Sequence, residues 1–155
     1  MLKKYLIAFF ISMVPIVELR GALPIALASG LPTFQAYITC IIGNMIPVPF
    51  IYYFAKGILN WGKDMPLIGN FCSWCIRKGE RAGEKLTASA GTGLYLALLL
   101  FVGIPLPGTG AWTGTFAASI LNMEFKKSVV AVMGGVLLAG ILIGTLTLFG
   151  IRVLG

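Results

Sequence analysis

The sequence PIVELRGALP at residues 15–24 places a glutamate, an arginine and a glycine between two prolines. It lies in an apolar run from Leu6 to Leu31, in which Glu18 and Arg20 are the only charged residues. Charges deep in hydrocarbon are costly, so they usually face a protein-lined cavity and mark a functional site. Proline removes a backbone donor and glycine tolerates unusual backbone angles. The stretch therefore predicts a helix that breaks near the bilayer midplane and presents both charges there.

Composition indicates an integral membrane protein. Of 155 residues, 58% are hydrophobic and only 11% are charged, with a mean hydropathy of +0.95. Soluble domains carry about 25% charged residues. The net charge of +7 is then better explained by basic loops near anionic headgroups than by nucleic-acid binding. We expect a multi-pass protein of the cell membrane with lipid as its surroundings.

Three further apolar segments follow along the chain. Thr33 to Lys56 predicts a span that kinks near Pro47 and Pro49. Leu94 to Leu121 is interrupted by GIPLPGTGAW at residues 103–112, a second break that has no charge. Val129 to Phe149 predicts the last span. The amino-terminal run also allows a cleaved signal peptide, although charges at Glu18 and Arg20 argue against it.

The polar stretch from Gly57 to Gly91 predicts an amphipathic connector. Apolar residues recur at helical spacing and predict a helix lying on the membrane surface: Leu67, Ile68, Phe71, Trp74 and Cys75. Basic residues are concentrated in this stretch, so the positive-inside rule places it in the cytoplasm.

The two halves share an order of features when shifted by about ninety positions. Pro15 then falls on Pro105, and each broken segment precedes one long span. Because each half would cross the membrane once, this order predicts inverted repeats joined by the connector. The predicted units are residues 1–57, the connector 58–91, and residues 92–155. A plain four-helix topology, with both termini on the connector's side, is the alternative.

Gly140 and Gly144 form a G-x-x-x-G pair in the last span. Small faces of this kind let helices approach closely in lipid. We favour packing within the chain, and a homodimer is the alternative.

The strings PIVELRGALP and IPLPGTGAWTG, the latter at residues 104–114, resemble the small multidrug export family. That family resembles in turn the DedA/VTT membrane proteins. The resemblance covers essentially the entire chain and implies an all-α fold of two re-entrant hairpins in inverted repeats. It also implies transport, either of drugs or, as in the DedA relatives, of lipids such as undecaprenyl phosphate. Glu18 and Arg20 match the charged residues of the first DedA hairpin, whereas the second hairpin here has none.

The predicted site lies where the two breaks meet. Gly21 and Ala111 would each open a half-helix, whose amino end favours an anion. Arg20 offers a fork of donors suited to phosphate, and Glu18 offers proton coupling. Alternatively, the two charges pair with each other and only hold the hairpin together. The candidate substrate-binding residues are Glu18, Arg20, Gly21, Thr109, Gly110, Trp112 and Thr113, and the candidate hairpin breaks are Pro15, Pro24, Pro105, Pro107 and Gly108.

These residues predict translocation of an anionic lipid such as a polyprenyl phosphate. The alternatives are a small-molecule exporter, in which Trp112 stacks on a cationic drug, and a scaffold without transport. An enzyme is not expected, because the chain has no histidine, five acidic residues and no phosphate-binding loop. Cys72 and Cys75 form a C-x-x-C without a second pair, so we expect no metal site and no cofactor.

Overall fold

The computed structural model describes residues 2–15, 17–70, 72–74, 76–77, 91–106 and 109–154, with side chains through residue 150. In this part of the chain the structure is helical and contains no strand, which confirms the all-α prediction. Its helices are α1 (Leu2–Met13), α2 (Glu18–Ala28), α3 (Thr33–Met45), α4 (Pro47–Gly62), α5 (Thr92–Gly103), α6 (Ala111–Ile120) and α7 (Phe125–Leu154).

The first break separates α1 from α2 at Pro15, as predicted, but α2 differs from the prediction in two ways. It begins at Glu18, so Gly21 lies inside the helix and does not open it. It also continues through Pro24, so this proline is not a break. Proline there removes the bond that an N–H would donate to the carbonyl four residues earlier, and its ring crowds that carbonyl, but Leu23 beside it is fully buried. Packing therefore keeps the helix intact.

The second break separates α5 from α6 and includes Pro105, as predicted. Pro107 and Gly108, the other candidate break residues there, lie outside the described residues. Helix α3 ends and α4 begins at Ile46, and Pro47 occupies the first position of α4. Proline is well tolerated at that position because the first N–H groups of a helix have no partner within it. The helix boundary thus lies at the predicted position, and the kink itself stays a prediction.

Two helices are long and apolar enough to cross a membrane: Thr33–Gly62, which includes this boundary, and Phe125–Gly150. Helices α1, α2, α5 and α6 have 10 to 12 residues. At about 1.5 Å per residue they reach roughly 15–18 Å, about half of a hydrocarbon core. Both halves thus repeat the order short helix, short helix, long span. The re-entrant path and the inverted relation of the halves stay predictions.

In each half, the second short helix packs against the long span of the other half. Helix α2 of the first half lies against α7, and α6 of the second half lies against α4. The shared core includes Leu19 and Leu23 of α2 and Val136 of α7, each almost fully buried. Each second short helix therefore contacts the long span of the other half, which brings the two breaks together.

Gly140 and Gly144 face α3, where Tyr37 donates a hydrogen bond to the Gly140 carbonyl over 3.0 Å. A Cβ added at Gly144 would lie 1.5 Å from the Tyr37 hydroxyl. This small-residue face therefore packs within the chain. A homodimer through another surface stays a prediction.

In the predicted connector, α4 continues through Gly62, and the described part beyond it has helical backbone at residues 69–70, 72–74 and 76–77. Leu67 precedes these positions and is 95% exposed, while Cys72 is buried. Phe71, Cys75 and residues 78–90 lie outside the described residues.

Candidate functional site

Glu18 forms the cap of a helix in the other half of the chain. Its Oε2 accepts a hydrogen bond from the Ala111 N–H over 3.3 Å, and its Oε1 accepts one from the Trp112 N–H over 3.1 Å. These N–H groups begin α6 and have no partner inside it, and a negative charge there also complements the helix dipole. Glu18 as a whole is 5% exposed. The acid of the first break thus holds the helix that follows the second.

Gly110 makes this contact sterically possible. It precedes α6, has φ +154°, and offers no side chain to cap the helix. A Cβ at this position would lie 2.1 Å from Oε2 of Glu18. Gly110 was predicted to contact substrate, and in the structure the Glu18 carboxylate occupies the space beside it. Glu18 itself has φ 49°, in the left-handed region that is strained for residues other than glycine. Its two hydrogen bonds offset the cost of that strain.

Arg20 binds the rest of the second break, from the end of α5 to Thr109. Its guanidinium donates to the carbonyls of Leu106 (2.6 Å), Val102 and Ile104 (3.2 Å each). It also donates to the Thr109 carbonyl and, over 2.8 Å, to the Thr109 hydroxyl. The carbonyls at the end of α5 lack partners within the helix, and a cation there complements its dipole. Arg20 therefore shapes the loop between α5 and α6.

The two charges are not paired with each other. Among the residues that the structure describes, the ion pair within 4 Å joins Lys127 to Glu124. The alternative in which Glu18 and Arg20 pair is therefore wrong, although both residues do hold the structure together. These contacts also explain why the second break has no charged residue of its own. Glu18 and Arg20 of the first break supply the acid and the base that bind it.

Trp112 adds a third link between the breaks. Its indole Nε1–H donates to the Met13 carbonyl over 3.1 Å, at the carboxyl end of α1. The hydroxyl of the neighbouring Thr113 donates to the Gly110 carbonyl over 3.4 Å. The start of α6 is thus fixed on two sides.

An apolar groove of about 550 Å³ runs between α4 and α6, beside these links. We call it the aromatic groove; it is lined by Pro15, Phe50, Ile51, Phe54, Ala55, Ile58, Trp112, Thr113 and Phe116. Phe50, Phe54 and Ile58 are four residues apart, so they share one face of α4. That spacing was a signal in the sequence, but it does not reveal which helix the face meets.

Besides the phenylalanines of the groove, sequence reasoning also missed Asn44 as a site residue. It is 1% exposed, and its Oδ1 has no hydrogen-bond partner. It lines a cavity of about 10 Å³ together with Glu18 and Arg20. Buried polar groups are normally satisfied, so this amide is an unusual feature next to the two charges.

The family model described as "Putative small multi-drug export protein" matches residues 18–142. This chain belongs to that family. The match begins at Glu18 and includes both the carboxylate cap and the second break. Comparisons with curated proteins and with solved structures found no match. The wider relationship to the DedA/VTT proteins stays a prediction.

In this member of the small multi-drug export family, five predicted site residues meet at the breaks: Glu18, Arg20, Thr109, Gly110 and Trp112. Thr113 lines the aromatic groove. Gly21 lies apart from them, in the interior of α2, where an added Cβ would meet the Val17 side chain. No group of three metal-ligating side chains occurs among the described residues.

Family membership and the two apolar helices agree with a membrane protein. The name of the family indicates export, which fits the alternative function derived from the sequence. The number of crossings and the side of the connector stay predictions.

Proposed function

We propose that this chain exports apolar small molecules that carry an aromatic or cationic group, and that they enter the aromatic groove from the bilayer. The observation that carries the proposal is the groove itself. Its volume of about 550 Å³ falls within the range of roughly 300–1,000 Å³ typical of small-molecule sites. Membership in the small multi-drug export family supports the same activity.

Charge around the groove favours a neutral or cationic molecule. Its lining contains no acidic or basic side chain. The nearest charge in the bonding network is Glu18, which accepts a hydrogen bond from the backbone of the groove residue Trp112. Aromatic faces attract cations, and the groove presents Trp112 together with three phenylalanines.

The second candidate is an anionic lipid such as a polyprenyl phosphate, whose chain would fit an apolar groove. Its phosphate would need Arg20 or the amino end of α6. The guanidinium already donates to four carbonyls and a hydroxyl, and Glu18 already occupies the helix end. A phosphate would have to displace these partners, so we rank this substrate second.

The links between the breaks are the elements that transport would move. Glu18 holds α6 by charge as well as by hydrogen bonds, and protonation would remove that charge. We therefore keep proton coupling through Glu18 as part of the proposal. The activity is movement of a molecule across the bilayer, without a chemical reaction on it.

The test is a flux assay with purified protein in liposomes, comparing a cationic dye with a fluorescent polyprenyl phosphate. The variant Phe54→Ala removes a groove side chain that is 63% exposed, and Phe10→Ala removes one outside the groove that is 61% exposed. We expect dye flux to fall by about tenfold in Phe54→Ala, because an aromatic contact is lost, and to stay unchanged in Phe10→Ala.

Flux of the polyprenyl phosphate alone, sensitive to Arg20→Lys and not to Phe54→Ala, would establish the second candidate. Absence of flux for both compounds, in protein whose folding is intact, would leave the scaffold alternative.

A further inference from the structure

Two adjoining cavities lie between α5 and α7, away from the aromatic groove. The outer one, of about 500 Å³, includes polar residues such as Asn122 and Glu124. The inner one, so called because it lies further along both helices, has a volume of about 440 Å³ and is mainly apolar. Both are lined by Thr92, Tyr95 and Lys127. A polar compartment therefore opens directly onto an apolar one between the same two helices.

The position of these cavities matches the boundary of a membrane. Helix α7 is long and apolar enough to span the bilayer, and the cavities lie at its first turns. The inner cavity continues along α5 past Leu96 and Leu99 and along α7 past Val130 and Ala131. With the first turn of α7 at the membrane surface, the outer compartment would lie at the level of lipid headgroups and the inner one at the level of the acyl chains.

Charge at this boundary is positive on balance. The Glu124 carboxylate lies 2.6 Å from the Lys127 ammonium, and Lys126 adds a second ammonium to the wall of the inner cavity. The three side chains together carry a net charge of +1. Tyr95 accepts a hydrogen bond from the Glu124 N–H, so its ring and hydroxyl connect the two compartments.

We propose that these cavities bind one glycerophospholipid with a net negative headgroup. Lys126 and Lys127 contact its phosphate, and one acyl chain lies against Leu96, Leu99 and Val130. Basic pockets between membrane helices bind anionic headgroups in this way. The apolar compartment selects a lipid over free phosphate, and the net charge of +1 complements a headgroup of charge −1. This site is separate from the aromatic groove, so the proposal does not depend on the transported substrate.

The experiment is native mass spectrometry of the full chain in detergent, with phosphatidylglycerol and phosphatidylcholine of identical acyl chains. We expect wild-type protein to retain phosphatidylglycerol preferentially. The variant Lys126→Gln/Lys127→Gln should lose about fivefold in that retention for each lysine removed, because each attracts the anionic headgroup. The control Lys3→Gln/Lys63→Gln removes two exposed lysines from elsewhere and should retain the lipid.

A third variant tests the apolar compartment. Val130 is 71% exposed, so Val130→Trp can fill the cavity without disturbing the core, and it should reduce retention of both lipids. Excess inorganic phosphate should not compete.

Equal retention of the two lipids by wild type, or full retention in Lys126→Gln/Lys127→Gln, would overturn the proposal. Unchanged retention in Val130→Trp, or competition by phosphate, would also overturn it, because the acyl chain would then lie elsewhere. All these measurements read lipid binding and not dye flux.

Discussion

Glu18 and Arg20 stand two residues apart in α2, and each is bonded to a different part of the second break. The acid meets the N–H groups that begin α6, and the base meets four carbonyls between Val102 and Thr109. Hydrogen bonds to charged groups contribute about 1.5–3 kcal/mol each when they are well formed. In a membrane these contacts matter further, because lipid offers backbone groups no alternative partner.

The Glu18 cap depends on the absence of a side chain at Gly110. We expect Gly110→Ala to displace the carboxylate from α6 and to lower the free energy of unfolding by about 2 kcal/mol, the usual range for a lost cap or a buried clash. The measurement is thermal unfolding in detergent. Gly57→Ala is the control, since a Cβ there meets nothing within 4 Å and helix propensity favours alanine. Equal midpoints for both variants would show that the cap contributes little.

The planar guanidinium of Arg20 donates several hydrogen bonds to the carbonyls of the second break. Lysine keeps the charge but cannot reach all of these acceptors, so Arg20→Lys should fold with intermediate stability and reduced transport. Arg20→Ala removes the charged donor from these carbonyls, although those of Ile104 and Leu106 keep a bond from the Thr109 hydroxyl, and should lower the free energy of unfolding by about 3 kcal/mol. Thermal unfolding and dye flux together check this.

The exposed Arg77, changed to Lys and to Ala, is the control for Arg20. Should Arg20→Lys unfold as readily as Arg20→Ala, the residue acts only in folding, and its place in the transport site must be withdrawn.

Helix α7 shows how one element uses its small residues within the chain. Tyr37 of α3 fits over Gly140 and Gly144, and Leu99 of α5 fits over Gly134. Interfaces of small residues allow the close helix packing that lipid alone does not drive. Both α3 and α5 therefore meet α7 on surfaces shaped by glycine.

Adding one methyl group to this face should separate α3 from α7. We expect Gly144→Ala to lower the free energy of unfolding by about 1–3 kcal/mol, because the new Cβ overlaps the Tyr37 ring. The control is Gly150→Ala in the same helix, where an added Cβ meets nothing within 4 Å. This variant should leave the free energy of unfolding unchanged or slightly raise it. Unfolding monitored by circular dichroism compares the two. A large loss in Gly150→Ala as well would indicate contacts made by another copy of the chain.

Across the entire fold, helix length is the main argument for the path through the membrane. Pairs of helices with 10 to 12 residues each are too short to cross singly, so we expect each pair to enter and leave on one side. Each half then crosses once, and the halves are inverted. Cysteine labelling from either side of sealed vesicles should place both termini opposite the connector. Labelling of both termini on the connector's side would favour four plain spans.

The sequence by itself determined the properties that depend on local chemistry. Hydropathy indicates the membrane class, and prolines mark the breaks at Pro15 and Pro105 and the helix boundary before Pro47, because a missing N–H acts within one turn of helix. Pro24 was the exception, since burial of the surrounding helix outweighs one lost hydrogen bond. The two charges were recognisable as a site because charge is rare in apolar segments.

Only the tertiary structure decided what those charges contact. Glu18 meets Ala111 across 93 positions, and Arg20 meets Thr109 across 89. Phe50 and Phe54 become a groove only where α6 lies beside α4, and Asn44 joins the site from a third helix. Such contacts arise from how helices of the two halves pack against each other. Helical periodicity shows which face of a helix is apolar, and it does not specify which helix that face will meet.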